Sequence, residues 1–64
     1  MREADILAAV RAGAATPTEI VACVYTDVPT KAHLMAARAV VAHLEKLEAE
    51  QLIARTGEER YTAT

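Results

Sequence analysis

The stretch from Lys31 to Glu50, KAHLMAARAVVAHLEKLEAE, contains neither glycine nor proline and consists largely of good helix formers. Leu34, Ala37, Val40, Val41, Leu44 and Leu47 recur within it at the i, i+3, i+4, i+7 spacing, which on a helix gathers them into one stripe. A helix of that length runs about 30 Å, enough to cross a small domain. In a chain of 64 residues every other segment is then short and must cover that stripe. The expectation is a single domain over residues 1–64 that buries about 60% of the surface its unfolded form exposes. Its stability is then on the order of 3 to 5 kcal/mol.

The segments around the long helix are punctuated by local chemistry. Arg2 to Ala12 reads as a first helix, with Ile6, Leu7 and Val10 on its apolar face, Glu3 and Asp5 in the first turn and Arg11 in the last. Gly13 can end it in a left-handed conformation. Ala14 to Thr16 is a short connector or a one-bridge strand. Thr16-Pro17-Thr18-Glu19 is the sharpest local signal: a threonine cap, a proline at the first helical position and a glutamate able to reach back in a capping box. The second helix starts there, carries Ile20, Val21 and Val24 on one face, and ends near Tyr25. Thr26-Asp27-Val28-Pro29 has turn chemistry, and Pro29 keeps Val28 extended. Asp27 and Thr30 are both candidate caps for the long helix.

After Glu50, Leu52 to Arg55 and Arg60 to Ala63 flank Thr56-Gly57-Glu58-Glu59, a polar turn whose glycine is the expected site of positive φ. With Arg55 opposite Arg60, the residues Leu52, Ala54, Tyr61 and Ala63 share an apolar face, although the like charges count mildly against this register. Three helices followed by a two-stranded hairpin predict a mainly α fold with a small β-hairpin, a winged helix-turn-helix. A plain three-helix bundle with a frayed tail is the structural alternative.

Composition excludes several functions. No apolar run approaches the roughly 18 residues of a membrane span, and the first residues lack the basic and apolar regions of a signal peptide. A lone Cys23 closes no internal disulfide, so a soluble, cytoplasmic protein is expected. His33 and His43 lie ten residues apart without partners at ligand spacing, which argues against a metal site. Duller roles suit these side chains: His43 bonding the next element, His33 helping to close a turn, Cys23 packed as a small thiol, Tyr25 and Tyr61 as core rings. Glu45, Glu48, Glu50, Glu58 and Glu59 read as solvated surface.

Opposite Leu44, the long helix turns outward Lys31, Met35, Arg38, Ala39, Ala42, Lys46 and Ala49. Lys31, Arg38 and Lys46 are balanced over residues 31–50 by Glu45, Glu48 and Glu50, the net charge of the chain is −2, and the outer face carries no Asn or Gln. Specific duplex reading needs a positive field and bidentate base readers, so it is not expected here. Met35, Ala39 and Ala42 instead form a candidate docking surface for another protein.

Ile6-Leu7, then Glu19-Ile20-Val21 leading to Val24-Tyr25-x-Asp27-x-Pro29, then Val41-Ala42-His43-Leu44-x-Lys46-Leu47 with Glu50, resemble a known family. It is the winged-helix domain that follows the catalytic domain in metallo-β-lactamase-fold hydrolases of the lactamase-β-like and hydroxyacylglutathione-hydrolase-like kind. The resemblance covers nearly the whole chain. One departure is Gln51, where that family usually has glycine; a left-handed glutamine costs on the order of 1 kcal/mol against glycine. The resemblance implies that residues 1–64 are the C-terminal part of a larger hydrolase. Catalysis would then belong to a preceding domain, where a His-x-His-x-Asp-His motif holds zinc and the winged helix packs alongside. No such motif occurs in this chain, so by itself it is expected to catalyse nothing and to hold no cofactor.

Two functions follow. One is a non-catalytic accessory domain whose partner is the parent's catalytic domain and which helps shape its substrate cleft. The other is a free-standing winged-helix nucleic-acid binder or transcription regulator, with Lys31, Arg38, Arg55 and Arg60 on phosphates. Weak contact with a single strand led to a neighbouring active site fits the charge better than duplex reading does.

Overall fold

A computed structural model of the chain describes residues 2–64. Three helices are followed by a two-stranded antiparallel hairpin: α1 (Arg2–Arg11), α2 (Pro17–Val24), α3 (His33–Ala49), β1 (Ile53–Gly57) and β2 (Arg60–Ala63). This is the winged-helix arrangement, with α2 and α3 as the helix-turn-helix and the hairpin as the wing.

Each helix boundary has a local cause. α2 begins with a complete capping box, the Glu19 N–H donating to Thr16 Oγ1 at 3.2 Å and the Thr16 N–H donating to Glu19 Oε1 at 3.3 Å. The same carboxylate accepts the Ala15 N–H at 2.7 Å, so three otherwise orphaned donors are satisfied by two side chains. The Ala14–Thr16 connector is no strand. Its single backbone tie to the wing is the Tyr61 N–H donating to the Ala15 carbonyl at 2.8 Å.

α1 and α3 end in the same way. At α1 the Gly13 N–H donates to Val10 and the Ala14 N–H to Ala9; at α3 the Gln51 N–H donates to Glu48 and the Leu52 N–H to Leu47. These paired bonds are the Schellman motif, whose pivot residue is left-handed. Gly13 has φ 114° and Gln51 has φ 65°, so the wing entry keeps the left-handed turn despite the missing glycine.

Neither Asp27 nor Thr30 caps α3. Residues Thr30–Ala32 instead form one 3₁₀ turn without a side-chain cap, and α3 starts at His33 rather than Lys31. The turn is held by His33, whose Nε2 lies 3.1 Å from the Val28 carbonyl. A carbonyl only accepts, so that nitrogen carries the proton.

Ile6 and Val10 of α1, Ile20 and Val21 of α2, and Val40, Leu44 and Leu47 of α3 meet Ile53 and Tyr61 of the wing in a core exposed by 4% or less at each position. Burying side chains of this size is worth roughly 1.5 to 3 kcal/mol apiece before entropy is counted. The wing register differs by one residue from the one with Arg55 opposite Arg60: Ile53 faces Ala63, Ala54 faces Thr62 and Arg55 faces Tyr61. Ile53 and Tyr61 therefore point inward, while Leu52 is 36% exposed. A slip of one residue exchanges the two faces of a strand. Pairing Gly57 with Arg60 leaves Thr56 as the extra residue of a bulge, which alternation alone does not reveal. The left-handed turn residue is Glu59 (φ 56°), not Gly57. Glycine permits positive φ without requiring it, and a hairpin loop can close on a left-handed last residue.

Two burial expectations also change. Leu34 is 70% exposed, and Cys23 is exposed rather than packed. Tyr25 is half-buried, with the Arg2 guanidinium 4.3 Å from its ring centroid and Arg2 Nη1 donating to the Val24 carbonyl. Among the described residues no helix is long and apolar enough to cross a membrane.

Candidate docking surface

α3 divides lengthwise into an inner stripe, two flanks and an outer face, because its residues advance about 100° each. The inner stripe is Val40, Leu44 and Leu47. One flank meets α1 through polar contacts: Lys46 Nζ donates to Glu3 Oε2 at 3.1 Å, and His43 Nδ1 lies 3.3 Å from Glu3 Oε1. The Lys46 hydrogen bond, and after it the His43 contact, holds the Glu3 carboxyl below its ordinary range. The same bond raises Lys46. Glu19, too, lies below the usual carboxylate range, because the Ala15 and then the Thr16 N–H groups stabilise its charge.

The opposite flank opens on a groove of about 440 Å³ between α3, the start of α2 and the wing turn. Leu34, Ala37 and Val41 form its apolar wall, Pro17 lies at its α2 end, and Arg38, Arg60, Glu58 and Glu59 supply its charges. The structure thus brings together two of the four expected phosphate contacts, Arg38 and Arg60, but sets acids beside them. Arg55 is occupied within the wing: its Nη2 donates to the Tyr61 hydroxyl at 3.0 Å and its guanidinium sits 5.4 Å from that ring centroid. Lys31 is exposed in the 3₁₀ turn ahead of α3 and does not line the groove.

Six of the seven outward residues lie on α3, and Lys31 lies in the turn before it. Lys31, Met35, Arg38, Ala39, Ala42, Lys46 and Ala49 are all exposed, and Met35 is 75% exposed, the most of any large hydrophobic side chain described. Met35, Ala39 and Ala42 thus form a low, uncharged strip with one flexible apolar protrusion. The alanines of such a strip offer a partner contact area with no side-chain entropy to lose, while ordering Met35 costs up to about 2 kcal/mol.

Among the described residues no three His, Cys, Asp or Glu side chains are gathered as a metal site, and both histidines are engaged in tying elements together. Sequence reasoning missed the Glu3 contacts with His43 and Lys46 and the Arg2 clamp on Tyr25. Residues some forty positions apart carry no local signal of their meeting.

No curated protein and no solved structure matches the chain significantly. Residues 16–61 match the family described as the β-lactamase associated winged helix domain. That span takes in the capping box, α2, α3 and the wing up to Tyr61. On the match and on the architecture, the chain belongs to the β-lactamase-associated winged-helix domain family.

Proposed function

We propose that this domain is a non-catalytic accessory module of a zinc-dependent metallo-β-lactamase-fold hydrolase, docking beside the active site and helping to shape substrate access. The observation that carries this reading is the outer face of α3: Met35, 75% exposed, on a strip completed by Ala39 and Ala42. A protein partner is the chemistry that covers such a strip, whereas duplex DNA requires a positive field, and here Lys31, Arg38 and Lys46 are balanced by Glu45, Glu48 and Glu50, with Arg38 the one base reader on the face. In this reading the zinc belongs to the partner domain; among the described residues of this chain no three His, Cys, Asp or Glu side chains are gathered to hold one. The exposed Cys23 thiol suits a reducing, cytoplasmic setting.

Single-stranded nucleic acid led toward that active site is the second reading, favoured by the convergence of Arg38 and Arg60 on one groove. Glu58 and Glu59 in the same groove weaken it. Fluorescence anisotropy with labelled random duplexes and single strands, run beside a pull-down with a catalytic domain of such a hydrolase, separates the readings. Association with the catalytic domain, and no tight duplex binding, is the expected result. Nanomolar duplex binding lost on Arg38→Ala would replace the accessory reading with the regulator.

A further inference from the structure

The charges around the groove between α3 and the wing turn contrast with those on the opposite flank of α3. Glu3, His43, Lys46 and Glu50 pair with one another on the far flank of α3. Arg38, Arg60, Glu58 and Glu59 line one groove, yet among the described residues none of the four makes a salt bridge or a side-chain hydrogen bond. The groove is balanced in sign and open in pairing, and Leu34 stands 70% exposed at its wall.

That balance restricts what can fill it. A simple anion meets Glu58 and Glu59, and a simple cation meets Arg38 and Arg60. A surface with both signs in equal number is complemented by its own two-fold copy, because in an isologous contact residue i meets j while j meets i. We propose that the groove is a self-association site for a second copy of this chain. The wing turn of each copy lies in the groove of the other, with Glu58 and Glu59 of one copy facing Arg38 and Arg60 of its partner and the two Leu34 side chains buried between them. Exposed ion pairs contribute little singly, so burial of Leu34 and the aliphatic wall supplies attraction while the charges fix the register. Leu34 and Met35 point about 100° apart on α3, so the Leu34 wall and the Met35 strip are separate faces that share Arg38 as their border.

Sedimentation equilibrium of the chain, up to about 1 mM, reads the pairing directly. The expected result is a monomer–dimer equilibrium that weakens about tenfold or more between roughly 50 and 500 mM salt. The double variant Arg38→Glu with Arg60→Glu has an all-acidic groove, and Glu58→Lys with Glu59→Lys an all-basic one. Each alone should stay monomeric over the same range, and an equimolar mixture of the two should restore the dimer. All four side chains are exposed, and circular dichroism checks that both variants remain folded. Leu34→Asp, which leaves those four charges in place, should weaken the dimer as well. A chain that is monomeric at the highest concentration overturns the proposal. So do a dimer that survives both charge-swapped variants, and folded variants whose mixture stays monomeric.

Discussion

Val40, Leu44 and Leu47 of α3 are enclosed by α1, α2 and β1, while Leu34, earlier on the same helix and in the same sequence stripe, is 70% exposed. The difference follows from angle: at about 100° per residue Leu34 lies more than about 100° around α3 from the middle of that buried stripe, on the flank that opens on the groove. Ala36 and Ala37, in the same early turns as Leu34, pack against the core, so those turns are covered on their inward side. Helical periodicity tells on which side a residue lies, and the reach of neighbouring elements decides whether that side is buried. The covered inner half of the helix surface holds the fold together, and the uncovered half carries both candidate surfaces.

The sharpest way to break that contrast is truncation of one leucine in each half. Leu44→Ala should cost about 2 to 5 kcal/mol, most of the stability available to a domain of this size. Leu34→Ala should cost under about 0.5 kcal/mol. Urea denaturation of the two variants measures both, and equal losses would mean that Leu34 is packed after all. Next in size is the cap that fixes α2 against the covered half: Thr16→Ala should cost about 1 kcal/mol. Glu19→Ala should cost less, and a double-mutant cycle should be less than additive because the two side chains form one box. Strict additivity would show two independent caps.

A smaller effect tests the exit from the covered half. Gln51→Gly should stabilise the domain by roughly 0.5 to 1 kcal/mol, since Gln51 holds φ 65° as pivot of a Schellman turn. A lowered denaturation midpoint would place the helix through position 51.

The smallest expected effect is a pH dependence. Glu3 is held below its ordinary pKa by Lys46 and then His43, so its contribution to stability is fully present above the unfolded value near 4.5 and is lost as pH falls through the lower folded value. Glu3→Gln should therefore flatten the acid limb of the stability curve below about pH 4.5 and leave its shape at neutral pH unchanged. An acid limb identical in the two proteins would show that the contact is too solvated to matter.

Local chemistry was the most legible part of the sequence. The Thr16 to Glu19 box, the Gly13 stop, the left-handed turn at Gln51 and the outward membership of Met35, Arg38, Ala39 and Ala42 each depend on residues within a turn or two of one another. What stayed hidden depends on distant partners. The wing register turned on a bulge at Thr56, and the partner of Glu3 lies on a helix about forty residues away. The groove was hidden for the same reason: Arg38 and Arg60 are adjacent only because the wing folds back toward α3.

The accessory reading stands or falls on what covers the outer face. Calorimetric titration of a parent hydrolase's catalytic domain with this chain, and with its Met35→Asp and Ala42→Asp variants, tests it most directly. The account predicts association of the native chain, weakened at least about tenfold, or roughly 1.4 kcal/mol, by either aspartate, with thermal melting unchanged because both positions are exposed. Absence of any association would contradict the accessory role itself, and full affinity in both variants would contradict the assignment of docking to the Met35, Ala39 and Ala42 strip.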